Sequence, residues 1–410
     1  MRTATKEYDH SLFRSGVLDV TSVKHTMNDV SAEYVPYVTP VYDRLPLTAR
    51  MDLLLPEDHM GNLTPLTDRQ EYVGNNRLMQ LDLATYSPIG SFKFRGAWNA
   101  IASVDYHQLL EHGVVTASVG NHAQGVAMGV RRLNELFDAH SFSGRNGRRV
   151  HADIYVPSSV APVKLEGIKN IGGDDVSIVV HGNTYDEAYE AACQRTDNLK
   201  GATLIHPYDN DLTVSGQSMV GYAVARELQK QQINPSEVIL VVPVGGGGLL
   251  AGIMKALRTI YPDANARPEV VLAQLEGADS AVQSWQYFKK HNQLKAVPVA
   301  GDVNAFADGA AVRTIGAHGL QALPYVSNTV LVTNSQLANG YKRHLDSIYM
   351  NLMEVYANHS VDPFFGLQEP ASMIADVAAY QYAQRQHGKT VIHLKTGINV
   401  NQELVEQLLG

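Results

Sequence analysis

From about residue 61 onward, short apolar and β-branched runs alternate with longer stretches of helical period. The runs predict strands at Arg77 to Asp82, Val114 to Ser118, Ala152 to Val156, Val176 to Val180, Val238 to Val244, Val270 to Leu275, Val330 to Thr333 and Thr390 to Leu394. Most are apolar at consecutive positions, as strands covered by helices on both faces are. Between them, helical text runs over Gly96 to Ser103, Ala123 to Phe137, Tyr185 to Thr196, Gly216 to Gln231, Leu249 to Ile260 and Ser372 to Gln386. This is the pattern of parallel βαβ units, hence an α/β fold. The polar, glycine- and arginine-rich segment His140 to Val150 reads as a surface insertion inside one unit. Residues 1–60 are polar and aromatic without a clear period and read as an N-terminal extension that wraps the body.

Composition narrows the function classes. The 410 residues are 45% hydrophobic and 18% charged, an ordinary globular balance with room for two domains. With 33 Lys plus Arg against 41 Asp plus Glu, the net charge of -8 leaves no basic surplus for a phosphate backbone, so nucleic acid is not an expected partner. No apolar run approaches the roughly 20 residues needed to span a bilayer, and the first ten residues lack the apolar core of a signal peptide. The expectation is a cytoplasmic protein with no membrane partner. Its one cysteine, Cys193, fits a reducing compartment and reads as a filler on a helix.

The first chemical candidate is Val238 to Val244, a strand text running into Gly245, Gly246, Gly247 and Gly248 and then into the helical LLAGIMKALRTI. Glycines leave backbone N–H groups uncovered, so such a loop at a helix N-terminus can wrap a phosphate. No Lys-Ser/Thr ending follows, which excludes a Walker A loop. Gly246, Gly248 and Ala251 satisfy a dinucleotide fingerprint, with Glu276 ending the next strand. A plain tight turn, a nicotinamide nucleotide and a smaller phosphate-bearing cofactor all remain open on this segment alone.

The second candidate is Lys93, in SPIGSFKFRGA between two phenylalanines and just before helical text. Apolar surroundings lower a lysine pKa and favour a neutral amine able to form a Schiff base; a surface lysine with aromatic neighbours is the bland alternative.

Together, SFKFRGA, Ser118 to Gly125 (SVGNHAQG) and Gly245 to Leu249 resemble the signature set of the pyridoxal-phosphate enzymes related to threonine dehydratase. Thr64-Pro65-Leu66, His206 to Asn210 (HPYDN), Ala305 to Arg313 (AFADGAAVR), Glu369-Pro370 and Thr396 to Asn401 (TGINVN) follow the same order from residue 61 to 401. The resemblance implies fold type II: two open, twisted, mostly parallel α/β domains with pyridoxal 5′-phosphate in the cleft between them. The expected division is a large cofactor-binding domain over 61–112 and 210–410 and a small domain over 113–209. Lys93 is then the catalytic lysine that carries the cofactor as a Schiff base and serves as general base. Gly245, Gly246, Gly247, Gly248 and the Leu249 amide would hold the phosphate. Asn121 would bond the cofactor's 3′-oxygen, and Thr396 would face the pyridine nitrogen. Ser118, Gly120, Asn121 and His122 would take the substrate carboxylate. A hydroxyl at Thr396 makes the ring a weaker electron sink than a carboxylate partner would, which favours loss of a β-substituent over a long-lived carbanion. The expected activity is α,β-elimination of water from L-threonine, giving 2-oxobutyrate and ammonia, or from serine, giving pyruvate. Relatives are commonly dimers or tetramers, so a homodimer or homotetramer is expected.

Three departures from the family's wording stand out. Val119 replaces the usual alanine, or the serine of related racemases, and cannot move a proton. Met79-Gln80-Leu81-Asp82-Leu83 lacks the usual Lys, Arg and Glu, a loss expected to alter the cleft near the active site, and is followed by a longer bridge, Ala84 to Ser91. Lys395 precedes Thr396, and Ile398 stands where a small residue is usual, narrowing the pyridine edge. Glu276 stands where some relatives bind a cation, but the following GADSAV has no second acidic side chain at the matching place, so no metal is assigned. The chain stops shortly after TGINVN, and no C-terminal regulatory domain is expected. The rival readings are elimination from another β-substituted amino acid such as hydroxyaspartate or diaminopropionate, a nicotinamide-dependent oxidoreductase, and a non-catalytic binding protein.

Overall fold

The computed structural model describes residues 66–139, 147–198, 201–304, 306–355 and 367–400. The extension expected over residues 1–60, the Thr64-Pro65 pair and the 140–146 part of the expected insertion lie outside them. In chain order the main elements are β1 (Leu66–Val73), β2 (Asn76–Asp82), α1 (Lys93–Ala102), α2 (Tyr106–His112), β3 (Val114–Ala117), α3 (Asn121–Ala139), β4 (Ala152–Val156), α4 (Pro162–Gly172), β5 (Val176–Val180), α5 (Tyr185–Asn198) and β6 (Thr203–Leu204). They continue with α6 (Asp211–Lys230), β7 (Val238–Pro243), α7 (Gly248–Ile260), β8 (Glu269–Leu275), α8 (Ser280–His291), α9 (Ala317–Ala322), β9 (Asn328–Val332), α10 (Asn334–Val355), α11 (Pro370–Ala383) and β10 (Thr390–Lys395).

The strands form a six-stranded sheet, β1-β2-β10-β7-β8-β9, and a four-stranded sheet, β5-β4-β3-β6. Only the β1–β2 pair is antiparallel; the other strand pairs of both sheets are parallel. The continuous apolar runs have a direct cause in the larger sheet, where alternate side chains enter different cores. Leu240, Val242, Leu272 and Leu394 pack with α6 and α7 residues on one face. Ile239, Val241, Val271 and Val391 pack with residues of α11 on the other. All six residues of β7 are buried.

The boundary expected at 112/113 is straddled by the packing. Phe94, Trp98 and Ile101 of α1 and Leu109 of α2 join the core of the smaller sheet together with Val126 and Val130 of α3, while α1 also lies against α6.

Several elements carry no clear signal in the sequence. The edge strand β1 is polar at most positions, β6 has two residues, and α2, α4, α8, α9 and α10 fall outside the helices expected from sequence. α6 begins five residues before its expected start because Asn210 caps it, its side-chain oxygen accepting from the Leu212 and Thr213 amides at 2.9 and 3.3 Å. α1 begins at Lys93 rather than Gly96, as the residues before Lys93 are tied to the end of β10.

Candidate active site

Three parallel strands run out at neighbouring places, the usual location of a binding crevice in an open α/β sheet. β3 delivers Ser118 to His122, β7 delivers Gly245 to Leu249, and β10 delivers Thr396 to Asn399. Lys93 is brought to this point by a short backbone zipper. The Thr396 carbonyl accepts from the Phe92 N–H at 3.0 Å and from the Ser91 hydroxyl at 3.3 Å, and the Ile398 N–H donates to the Gly90 carbonyl at 2.9 Å. Behind the zipper, the Thr396 N–H donates to Ser372 Oγ at 2.8 Å. Thr396 is only 2% exposed.

Lys93 is half-buried. Its Nζ donates to the Pro207 carbonyl at 3.0 Å and lies 5.3 Å from the centre of the Phe92 ring. Burial pulls its pKa down to about 8, against the opposing pull of the Glu369 carboxylate. A neutral amine is therefore present in roughly one molecule in ten at pH 7, where an ordinary lysine offers far less.

Pro207 precedes Tyr208, which lies on the glycine loop: a Cβ added to Gly246 would stand 2.3 Å from the Tyr208 ring, and one on Gly248 2.5 Å from the Tyr208 carbonyl oxygen. Gly247 has φ +92°, a left-handed conformation that bends the chain into α7. Among the described residues, no acceptor takes the N–H groups of Gly246, Gly247, Gly248 or Leu249. Uncovered amides at the positive end of α7 form an anion cradle.

Asn121 opens α3, and its Nδ2 donates to both Glu369 oxygens, at 3.0 and 2.8 Å. Its Oδ1 accepts from Asn399 Nδ2 at 2.6 Å. These bonds join the end of the smaller sheet to the larger one. Glu369 is 7% exposed and its pKa is pushed up to about 7, chiefly by burial. His122 is 3% exposed; its Nε2 donates to the Ile205 carbonyl at 2.9 Å, and its Nδ1 has no partner among the described residues. Burial, reinforced by the nearby Lys93 charge, lowers its pKa to about 3, so the ring is neutral. The Ser118 hydroxyl accepts from the Gly120 amide at 3.4 Å, and a Cβ on Gly120 would meet nothing within 4 Å, so this turn faces open space.

The segments singled out from sequence thus meet by direct contacts: Lys93 with Pro207, Tyr208 with the glycine loop, Phe92 with Thr396, and Asn121 with Glu369 and Asn399. Two residues that were not assigned a role, Glu369 and Asn399, are part of this set. Their signal was present in the Glu369-Pro370 and TGINVN texts, an acidic residue just before a proline at a helix start and an amide just past a strand end. The departures also find their places. Met79 and Leu81, at two of the three positions where charges are lost, are fully buried in the core of the six-stranded sheet. The longer bridge is anchored by Asp82, which accepts from the Ala84 and Thr85 amides, and by Lys395, whose Nζ reaches Asp82 at 3.2 Å and Thr85 Oγ1 at 2.7 Å. Ile398 rests on Gly90, where an added Cβ would lie 3.0 Å from it. Val119 packs on the core of the smaller sheet.

The Lys93 amine is thus linked through Pro207 and Tyr208 to a loop of uncovered main-chain amides at the end of a parallel strand. The chain belongs to the family of pyridoxal-phosphate dependent enzymes, whose model matches residues 63–347, and its cofactor is pyridoxal 5′-phosphate. It is similar to the biosynthetic L-threonine dehydratase of Burkholderia multivorans, 30% identical over 317 residues that cover 77% of this chain and 53% of that protein. It is 34% identical over 250 residues to the L-threonine ammonia-lyase of Geobacter sulfurreducens, covering 61% of this chain and 53% of that one. The chain therefore spans about half the length of these relatives. In fold it matches the processed form of threonine deaminase isoform 2 from Solanum lycopersicum with a TM-score of 0.66 and 24% identity, over 93% of this chain and 87% of the other. Among the described residues, no helix is long and apolar enough to cross a membrane.

Proposed function

We propose that the chain is a pyridoxal-phosphate dependent ammonia-lyase that eliminates water from L-threonine, and from L-serine, to give 2-oxobutyrate or pyruvate and ammonia. The observation that carries this reading is the Lys93 amine, bonded to the Pro207 carbonyl at 3.0 Å next to Tyr208, which packs on the glycine loop. Similarity to threonine dehydratases and a threonine ammonia-lyase supports the choice of substrate.

The residues divide the work by their chemistry. The Gly246 to Leu249 amides and the α7 dipole bind the phosphate. Asn121 offers an uncharged N–H to the ring oxygen. The amides around Gly120, which open on free space, hold the substrate carboxylate and so fix the orientation of Cα. Lys93 Nζ, once neutral, takes the proton from Cα. When bound, the cofactor supplies a sink for the electrons that this proton leaves behind. Thr396 would offer a hydroxyl rather than an acid at the ring nitrogen, which would favour loss of the β-substituent over a long-lived carbanion. Val119 offers no proton from the opposite side.

A substrate panel tests the assignment. The protein loaded with pyridoxal phosphate is mixed with L-threonine, L-serine, β-hydroxyaspartate or 2,3-diaminopropionate, and 2-oxo acid and ammonia are measured. Threonine or serine should have the highest kcat/KM. Turnover confined to hydroxyaspartate or diaminopropionate would overturn the substrate while leaving the elimination chemistry in place.

A further inference from the structure

Glu369, Asn121 and Asn399 form a chain of hydrogen bonds with a fixed sense. An amide side chain can point either way in a pocket, and its neighbours decide which end is N–H and which is C=O. Here one end of the chain is a main-chain carbonyl, an acceptor that cannot be turned around. At one end Asn399 Nδ2 donates to the Ile89 main-chain carbonyl at 2.8 Å; at the other, the Asn121 Nδ2 donates to the Glu369 carboxylate. The middle bond, from Asn399 Nδ2 to Asn121 Oδ1 at 2.6 Å, follows from these two. Two glycines make room for the arrangement. A Cβ on Gly397 would overlap the Glu369 carboxylate, and one on Gly90, at φ +63°, would come within 2.9 Å of Asn399 Oδ1.

We infer that Asn399 is a positioning residue that, by occupying Asn121 Oδ1, makes Asn121 present N–H and never C=O to the cofactor. This rests on the reading above that Asn121 meets the cofactor's ring oxygen. Asn399 lies 278 residues from Asn121 and is itself exposed, so its role is to aim the amide rather than to fill a core.

The test exploits a substitution that keeps shape and reverses polarity. Asn399→Asp can no longer donate and leaves Asn121 between two carboxylates; Asn399→Leu removes the contact but leaves Glu369 to orient Asn121. Dissociation constants for pyridoxal phosphate are measured by visible absorbance, and apo-protein melting by circular dichroism. The orientation role predicts weakening of about tenfold or more for Asn399→Asp and a smaller effect for Asn399→Leu. A space-filling role predicts the reverse order, and that order would overturn the inference. Adding Glu369→Gln to Asn399→Asp gives the turned Asn121 amide a donor for its carbonyl, so the apo melting temperature should recover toward wild type while cofactor affinity stays weak; recovery of both would also overturn it. Asn121→Leu separates the two claims. Unchanged affinity there defeats the assignment of Asn121 itself, whereas a loss there with Leu worse than Asp at 399 defeats only the role of Asn399.

Discussion

The Lys93 amine donates to the main-chain carbonyl of Pro207 at 3.0 Å, and the next residue, Tyr208, lies directly on the glycine loop. One backbone segment thus sets the spacing between Lys93 and the glycine loop. It satisfies the ammonium with a single carbonyl, far less than water would provide, which is why burial dominates its pKa.

That shortage has a consequence for stability. With a folded pKa of about 8 against 10.5 for an ordinary lysine, the folded apo protein holds this proton less tightly than the unfolded chain. The cost is present in full below pH 8 and fades as pH rises from 8 toward 10.5. Lys93→Met should therefore stabilise the apo protein at pH 7, by on the order of 2 kcal/mol, with the difference shrinking above pH 8. Urea melts of both proteins across pH 7 to 10 check this; a constant difference would mean that Lys93 is fully hydrated.

The cradle should be intolerant of the smallest side chain. A Cβ on Gly248 would press on the Tyr208 carbonyl oxygen, a backbone atom that cannot swing aside. Gly248→Ala is expected to lower pyridoxal phosphate affinity at least about tenfold, a loss of roughly 1.4 kcal/mol or more, measured by absorbance titration. Ala251→Gly, one turn further along α7, should leave affinity within about threefold, since it removes a methyl group away from the amides.

Val119 bears on stereochemistry. An isopropyl group packed on the core of the smaller sheet can neither give nor take a proton, so the protein should release 2-oxo acid without D-allothreonine or D-serine. Chiral chromatography of the reaction mixture decides this, and D-amino acid at more than a few per cent of product would show that another group protonates Cα.

Much of this was legible in the sequence because the signals are local. Consecutive apolar residues marked the strands buried on both faces, and a strand, four glycines and a helical text marked the cradle. That segment could not by itself separate a dinucleotide from a smaller phosphate cofactor, since uncovered amides at a helix end serve either; Lys93 was needed to decide. β1 went unread because an edge strand needs no apolar alternation to pair with β2. Glu369 and Asn399 went without roles because their work is defined by partners hundreds of residues away, Asn121 lying 248 positions from Glu369. No local pattern encodes such a contact.

The central claim, that Lys93 holds the cofactor in a site made for β-hydroxy amino acids, is tested most directly by the visible absorption spectrum of the purified protein before and after addition of L-threonine. A yellow band that shifts with threonine and is absent from Lys93→Ala is the predicted result. A band that survives in Lys93→Ala and does not respond to threonine would contradict it.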